Sequence, residues 1–358
     1  MNIEQKNNIS KTAIWAITKP GFKHGLSIAR NIDNSILYVS ENLLEKFNGL
    51  NKIDPEFCKN PLVFTKLSKK LKTVFNEFDA HVFIFSTGIA VRIIAPLIKT
   101  KIEDPAIVVL DDDACHAISL LSGHIGGANK LAKTIGQITK ARPVITTATD
   151  VHKQPAIDII AVDNKMNILN PNMIKKINMA ILESRTIKVN DPFNILFDKI
   201  PNSVKSENKP DVICTDIEID VPRGTLILNP LSLVVGIGCN RGTSMDEIEN
   251  VLINTFKANK LSIKSIWRFA SIEAKNDEKG FLELSEKYAK QFVFITKERL
   301  KSVKKIKNPS TIVQKHMGVK SVCEAAAITA GNNAKLIVQK RIKGNVTIAI
   351  TRKNKCSI

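Results

Sequence analysis

The sequence predicts a multi-domain α/β protein. It comprises an N-terminal α/β sheet domain (1–151), a small middle region (152–231) and a C-terminal α/β domain (232–358). Three observations carry this. Short apolar runs alternate with helix-length segments, the pattern of a parallel or mixed sheet. At 358 residues the chain is too long for one small core. The alternation also weakens from 151 to about 231 and sharpens again at 233.

In chain order, TAIWAIT (12–18) reads as a strand, and Pro20-Gly21 starts a short helix ending near Arg30, since proline suits a first helical turn. ILYVS (36–40) is a second strand, rich in β-formers. TKLSKKLKTVFNEF (65–78) spaces its apolar residues as a helix and leads to the strand HVFIFS (81–86). A helix from Gly88 to Ile98, the strand AIVVLD (106–111), a polar turn at 112–114 and an antiparallel return HAISLL (116–121) follow. A glycine-rich loop then precedes a helix opening at Asn129, and PVITTATD (143–150) reads as the next strand. In the middle region PAIDIIAVD and NPNMIKKINMAILES look helical, and short β-like runs precede RGTLILNP. From 233 the order is strand LVVGIG, helix TSMDEIENVLINTF, strand IWRFAS, helix GFLELSEKYAK, strand FVFIT, helix SVCEAAAITA, then the strands KLIVQK and VTIAIT. RLKSVKKIKN (299–308) reads as a solvated basic run.

Composition narrows the function classes. Hydrophobic residues make up 44% and charged residues 24%, ordinary for a soluble globular protein. No run approaches the ~18 consecutive apolar residues of a membrane span. The polar start MNIEQKNNIS lacks a signal peptide's apolar core, so a cytoplasmic location is expected. Six cysteines with no C-x-x-C pair argue against a disulfide framework and against a structural zinc site. The net charge is +19, and from residue 232 onward 24 Lys and Arg face 10 Asp and Glu. That excess suits an anionic partner, though a lysine-rich composition bias explains it as well. The 19 aromatic residues do not cluster with basic ones as stacking platforms do, which argues against a nucleic-acid partner. A homo-oligomer is left open.

Four stretches can carry chemistry. In SLLSGHIGGANKLAKTIG (119–136), Gly126 and Gly127 permit close backbone approach, and the helix start at Asn129 favours a carboxylate or oxyanion beside Ser122. His124 adds a side chain that titrates near neutrality, as a base or as hydrogen-bonded scaffold. In PVITTATD, Thr146, Thr147, Thr149 and Asp150 gather at a strand's C-terminal end, where an open sheet binds ligands. In STGIAVRIIAPLIKTKIEDPA (86–106), Thr87-Gly88 opens a helix and Arg92 needs a carboxylate, from a ligand or from Asp104. In VVGIGCNRGTS (234–244), Gly238 and Arg241 form an anion-loop candidate, and Ser244 and Glu247 are spaced as a capping box. The glycine spacing is one residue too long for a dinucleotide fingerprint and no acidic residue follows at the required distance, so NAD is set aside.

Taken together and in order, STGIAVRIIAPLIKTKIEDPAIVVLDDD, ISLLSGHIGGANKLA, PVITTATD, VGIGCNRGTS and SVCEAAA resemble the cobalt-precorrin-5A hydrolase family of anaerobic cobalamin synthesis (the CbiG proteins). The resemblance runs from AIWAIT to VTIAIT and is weakest between about 160 and 230. Ile102-Glu103 departs from the family's usual pair and leaves the contacts of Lys101 and Asp104 open. The resemblance implies a hydrolase that opens the δ-lactone of a cobalt-bearing tetrapyrrole and releases acetaldehyde. It also implies no cofactor of the protein's own, because cobalt is carried by the substrate, and no metal site. A tetrapyrrole-binding or channelling protein without catalysis is the alternative. Lactone opening needs a base for water and donors for the oxyanion. His124 is the expected base, Asp150 or Asp112 its expected partner, and the N–H groups from Gly126 to Ala128 the expected donors.

Overall fold

The computed structural model describes residues 9–45, 61–100, 103–303, 306–308 and 321–353. Lys101, Ile102 and part of the basic run (304–305) lie outside the described residues. Two compact units divide the chain, Met1–Val162 and Asp163–Ile358.

The first unit holds a seven-stranded sheet in the order β3-β2-β1-β4-β5-β6-β7. Its strands are β1 (Thr12–Ala16), β2 (Ser35–Ser40), β3 (Leu62–Phe64), β4 (Ala80–Ile84), β5 (Ala106–Leu110), β6 (His116–Leu121) and β7 (Arg142–Val144). The first five are parallel, β6 runs antiparallel to β5, and β7 is parallel to β6. β1, β4 and β5 are buried throughout, so they read as unbroken apolar runs. Alternate residues then serve two cores. Ile14, Val82, Ile84 and Val108 pack with α1 (Lys19–Asn31) and α5 (Ala128–Thr139), through Phe22, Leu26, Leu131 and Ile135. Trp15, Phe83 and Ile107 pack on the other face with Leu71 and Phe75, from α3 (Leu67–Val74) and the 3-10 turn after it, and with Ile94 of α4 (Thr87–Ile94). A short α2 (Glu41–Glu45) follows β2. In the second core the fully buried His81 takes the Trp15 indole N–H on Nδ1 (3.1 Å) and bonds the Phe75 carbonyl through Nε2 (3.0 Å), and burial lowers its pKa to about 4. It stays neutral.

PVITTATD departs from expectation. Only Arg142–Val144 is strand, and Ala148–Val151 is a short helix, α6. β7 is an edge strand, so nothing beyond it extends the ladder, and the Thr147 hydroxyl bonds the Asp150 carboxylate (2.6 Å), a local alternative to sheet. The next helix, α7 (Ile157–Asp163), buries Ile157, Asp158, Ile160 and Ala161 and lies almost wholly in the first unit.

The second unit carries two five-stranded sheets, β10-β9-β11-β12-β8 and β15-β14-β13-β17-β16. The former uses β8 (Met166–Ile168), β9 (Ile187–Asn190), β10 (Ser203–Lys205), β11 (Val212–Cys214) and β12 (Leu226–Pro230), with α8 (Ile174–Leu182) between β8 and β9. The latter uses β13 (Leu233–Cys239), β14 (Ile266–Ile272), β15 (Phe292–Ile295), β16 (Lys335–Lys343) and β17 (Val346–Arg352). The helices around it are α9 (Met245–Ala258), α10 (Lys279–Tyr288), α11 (Lys297–Lys301) and α12 (Val322–Ala330). α9 and α10 cover one face through Ile248, Leu252, Phe281 and Leu284, while the alanines of α12 lie on the other. That approach is close: a Cβ on Gly236 would stand 1.9 Å from the Cys323 carbonyl oxygen.

The two-way division falls after Val162, between the boundaries expected at 151 and 231. The buried side chains of α7 belong to the first unit. The rest of the middle region is tied to the C-terminal sheet by Asp216, 1% exposed, which accepts Arg352 Nε (2.6 Å) and Nη2 (2.8 Å) and the Ser232 hydroxyl (2.8 Å).

Candidate functional site

Because β6 runs back along β5, with Ile107 beside Leu121 and Leu110 beside Ala117, the loop after β6 lies at the edge where β5 begins. β7 follows β6 in parallel and delivers Thr147–Asp150 to the same edge. The loop is built tightly. Ser122 has φ +57° and donates its hydroxyl to the Asp104 carbonyl (3.1 Å). Gly126 is required, since a Cβ there would stand 2.3 Å from Ser122 Cβ, and Gly127 turns at φ +87° to start α5.

His124 sits between two carboxylates. Its Nδ1 is 3.2 Å from Asp158 Oδ2 and its Nε2 is 3.1 Å from Asp150 Oδ2. The Thr149 hydroxyl also reaches Nε2, at 3.1 Å. Asp150 Oδ2 further accepts the Thr147 hydroxyl (2.6 Å) and the Asn129 amide (2.9 Å), and Asn129 Oδ1 accepts the Ser119 hydroxyl (2.6 Å). The Asp158 hydrogen bond raises the pKa of His124 above its ordinary value; burial opposes this, and the Asp158 charge and the Asp150 bond and charge add to the rise. Burial pushes Asp150 up, but hydrogen bonds from Thr147 and His124, the His124 charge and Lys133 outweigh it and leave the carboxyl below its usual range. A raised pKa with both ring nitrogens facing carboxylates favours the protonated imidazole.

The other expected site residues separate into groups. The proposed oxyanion donors are largely used inside the loop: Gly127 N–H bonds the His124 carbonyl (3.0 Å) and Ala128 N–H the Ser122 carbonyl (3.1 Å). Gly126 and Gly127 are buried, and Gly126 lines a cavity of about 340 Å³ with Asp79, Lys99 and Asp104. Thr146 is exposed beside the site. Asp112 does not orient His124; it follows the other end of β5 and accepts the Thr18 hydroxyl at the start of α1. Thr87 and Gly88 open α4 after β4, at that opposite edge. Arg92 is exposed and makes no ion pair with Asp104, whose carboxylate, 3% exposed, accepts the Lys99 N–H (2.9 Å). The single antiparallel junction between β5 and β6 thus sends the two sequence clusters to opposite edges of one sheet.

In the second unit, Gly238 and Arg241 line a cavity of about 340 Å³ with Cys239, Lys275, Ser321 and Lys340. Arg241 already has acidic partners in Asp277 and Glu278, and its Nη2 donates to the Ala274 carbonyl (2.6 Å). Ser244 caps α9 by accepting the Glu247 N–H (3.3 Å), but the Glu247 carboxylate accepts the Asn345 N–H (2.9 Å), so only half of the capping box forms. Among the described residues no group of three His, Cys, Asp or Glu stands ready to hold a metal ion, and no helix is long and apolar enough to cross a membrane.

Asp158 was missed by sequence reasoning. Its signal was a carboxylate in the middle of the apolar PAIDIIAVD, on a helix that also buries Ile157, Ile160 and Ala161.

Fold and site define an α/β protein with a half-buried Asp158–His124–Asp150 cluster beside a mixed sheet. The chain belongs to the cobalamin synthesis G family. Residues 69–150 match the model described as Cobalamin synthesis G N-terminal and residues 233–351 match Cobalamin synthesis G C-terminus. It is 32% identical to the cobalt-precorrin-5A hydrolase of Priestia megaterium over 94% of both chains. It is also 32% identical to that of Salmonella typhimurium, over 72% of this chain and 77% of the other. Protein CobE of Sinorhizobium sp is 30% identical over 33% of this chain and 78% of CobE.

Proposed function

We propose that this chain is a cobalt-precorrin-5A hydrolase of cobalamin biosynthesis. The observation that carries the reading is the identity to a hydrolase of that name along 94% of both chains. The substrate is a cobalt-bearing tetrapyrrole; cobalt arrives within it, and the protein needs no cofactor of its own. The reaction opens the δ-lactone with water and releases acetaldehyde. Of the two carboxylates on His124, Asp150 is the partly exposed one, its side chain 30% accessible against 0% for Asp158. Asp150 therefore orients water and takes its proton, while the His124 Nε2 proton serves the oxygen that leaves. The basic C-terminal third draws in the polycarboxylate substrate, and the enzyme works in the cytosol. The test is incubation of the purified protein with cobalt-precorrin-5A, with acetaldehyde read by a coupled reductase. Acetaldehyde at the level of the no-enzyme blank would sink the hydrolase reading.

A further inference from the structure

We propose that Asp158 is a positioning residue of this hydrolase: its buried carboxylate holds the His124 ring in place and in its charged form, and so sets the protonation state that Asp150 presents to substrate. The inference rests on the function proposed above for the site.

Four side chains form a line of alternating charge, Asp158, His124, Asp150 and Lys133. Their exposures rise along it, 0%, 9%, 30% and 60%. The line has a dry end and a wet end, and Asp158, with no exposed side-chain surface, cannot itself meet a substrate. Asp158 lies at the dry end, on α7, between the buried Ile157 and the buried Ile160. An ionised carboxylate in such a place must be paired and hydrogen-bonded. Its Oδ2 lies 3.2 Å from His124 Nδ1, while the other ring nitrogen faces Asp150 Oδ2 at 3.1 Å. Ionised carboxylates only accept hydrogen bonds, so both contacts are satisfied together by an imidazolium with a proton on each nitrogen. The groups around this ring come from three elements: Asn129 and Lys133 of α5, Thr147, Thr149 and Asp150 at α6, and Asp158 of α7. Among the described residues of that set the other cation is Lys133, and it approaches Asp150 Oδ1 at 4.0 Å rather than the ring. Asp158 is thus the inner counter-charge of His124.

The experiment follows the His124 ring by NMR across pH 5–9 in the full chain, its signal assigned by loss in the His124→Gln variant. In the wild type the midpoint is expected above ~6.5, the unperturbed histidine value. In Asp158→Asn it should fall by about one unit or more, the size of effect an adjacent opposite charge exerts. Turnover should fall by about 10–100-fold as part of the usual worth of an acid–base group. KM should hold, and the alkaline limb of kcat should move to lower pH with the ring. A wild-type midpoint at or below ~6.5 would overturn the proposal without any variant. So would an Asp158→Asn protein that melts earlier yet keeps the ring midpoint and the kcat profile, since that is a purely structural residue. Because the ring titration needs no substrate, it reads Asp158 even if the acetaldehyde assay fails.

Discussion

Replacing His124 by Gln tests the charge arrangement through stability. Glutamine has one amide to donate and no charge, so it cannot serve Asp158 and Asp150 together. The carboxylate that loses most is Asp158, whose side chain is fully buried, whereas Asp150 keeps Thr147, Asn129 and solvent. Removing one member of a buried pair costs about 3–5 kcal/mol, because a charge is left uncompensated. For a unit of this size that is a fall in Tm of roughly 6–20 °C. The gap between wild type and variant should narrow as pH rises. The pKa of His124 is raised on folding, so its contribution is complete below the unfolded value near ~6.5 and disappears as pH climbs through the higher folded value. Thermal unfolding by circular dichroism at pH 5, 6.5 and 9 should show the widest gap at pH 5 and the narrowest at pH 9. A gap of the same size at all three, or none, would refute the assignment of a charged His124 on a buried Asp158.

Other outcomes follow from the same geometry. Asp150→Asn should cut kcat by on the order of 10²–10⁴ in the acetaldehyde assay, whereas Asp112→Asn, bonded to Thr18 at the far edge of the sheet, should leave the kcat–pH profile in place. Gly236→Ala should lower the melting temperature of the second unit by overpacking worth about 3 kcal/mol, since the new Cβ meets the Cys323 carbonyl. Arg352→Met, which removes the bidentate partner of Asp216, should destabilise the same unit by roughly 2–3 kcal/mol, below the fully buried range because Arg352 is partly exposed. KM for the polyanionic substrate should rise with added salt, and a KM indifferent to salt would mark the lysine excess as compositional.

Much of this protein was legible in one dimension. β1, β4 and β5 are buried on both faces, so their apolar runs are unbroken, and the α9 start announces itself through Ser244. The antiparallel return at His116–Leu121 was also readable, because the polar DDA turn before it is too short for a crossover. His124 and Asp150 were picked out by residue type beside a glycine-rich loop and a strand end. Their company was not. Asp112 and Thr87 stand near the same motifs in sequence, but β5 and β6 run in opposite directions, and a strand reversal separates residues that a linear reading groups together. Arg92 read as a guanidinium in need of a carboxylate because its neighbours are apolar, yet the face of α4 it occupies is exposed. Asp158 is the converse. Periodicity places it on a helix but does not say what that helix packs against, and only the fold brings it, from 34 residues away, onto His124 Nδ1. Local composition determines which segments become strands, helices and tight turns, because those depend on neighbours in the chain. Which nitrogen meets which carboxylate, and hence which charge a histidine carries, depends on long-range packing and burial, and that was decided by the tertiary structure alone.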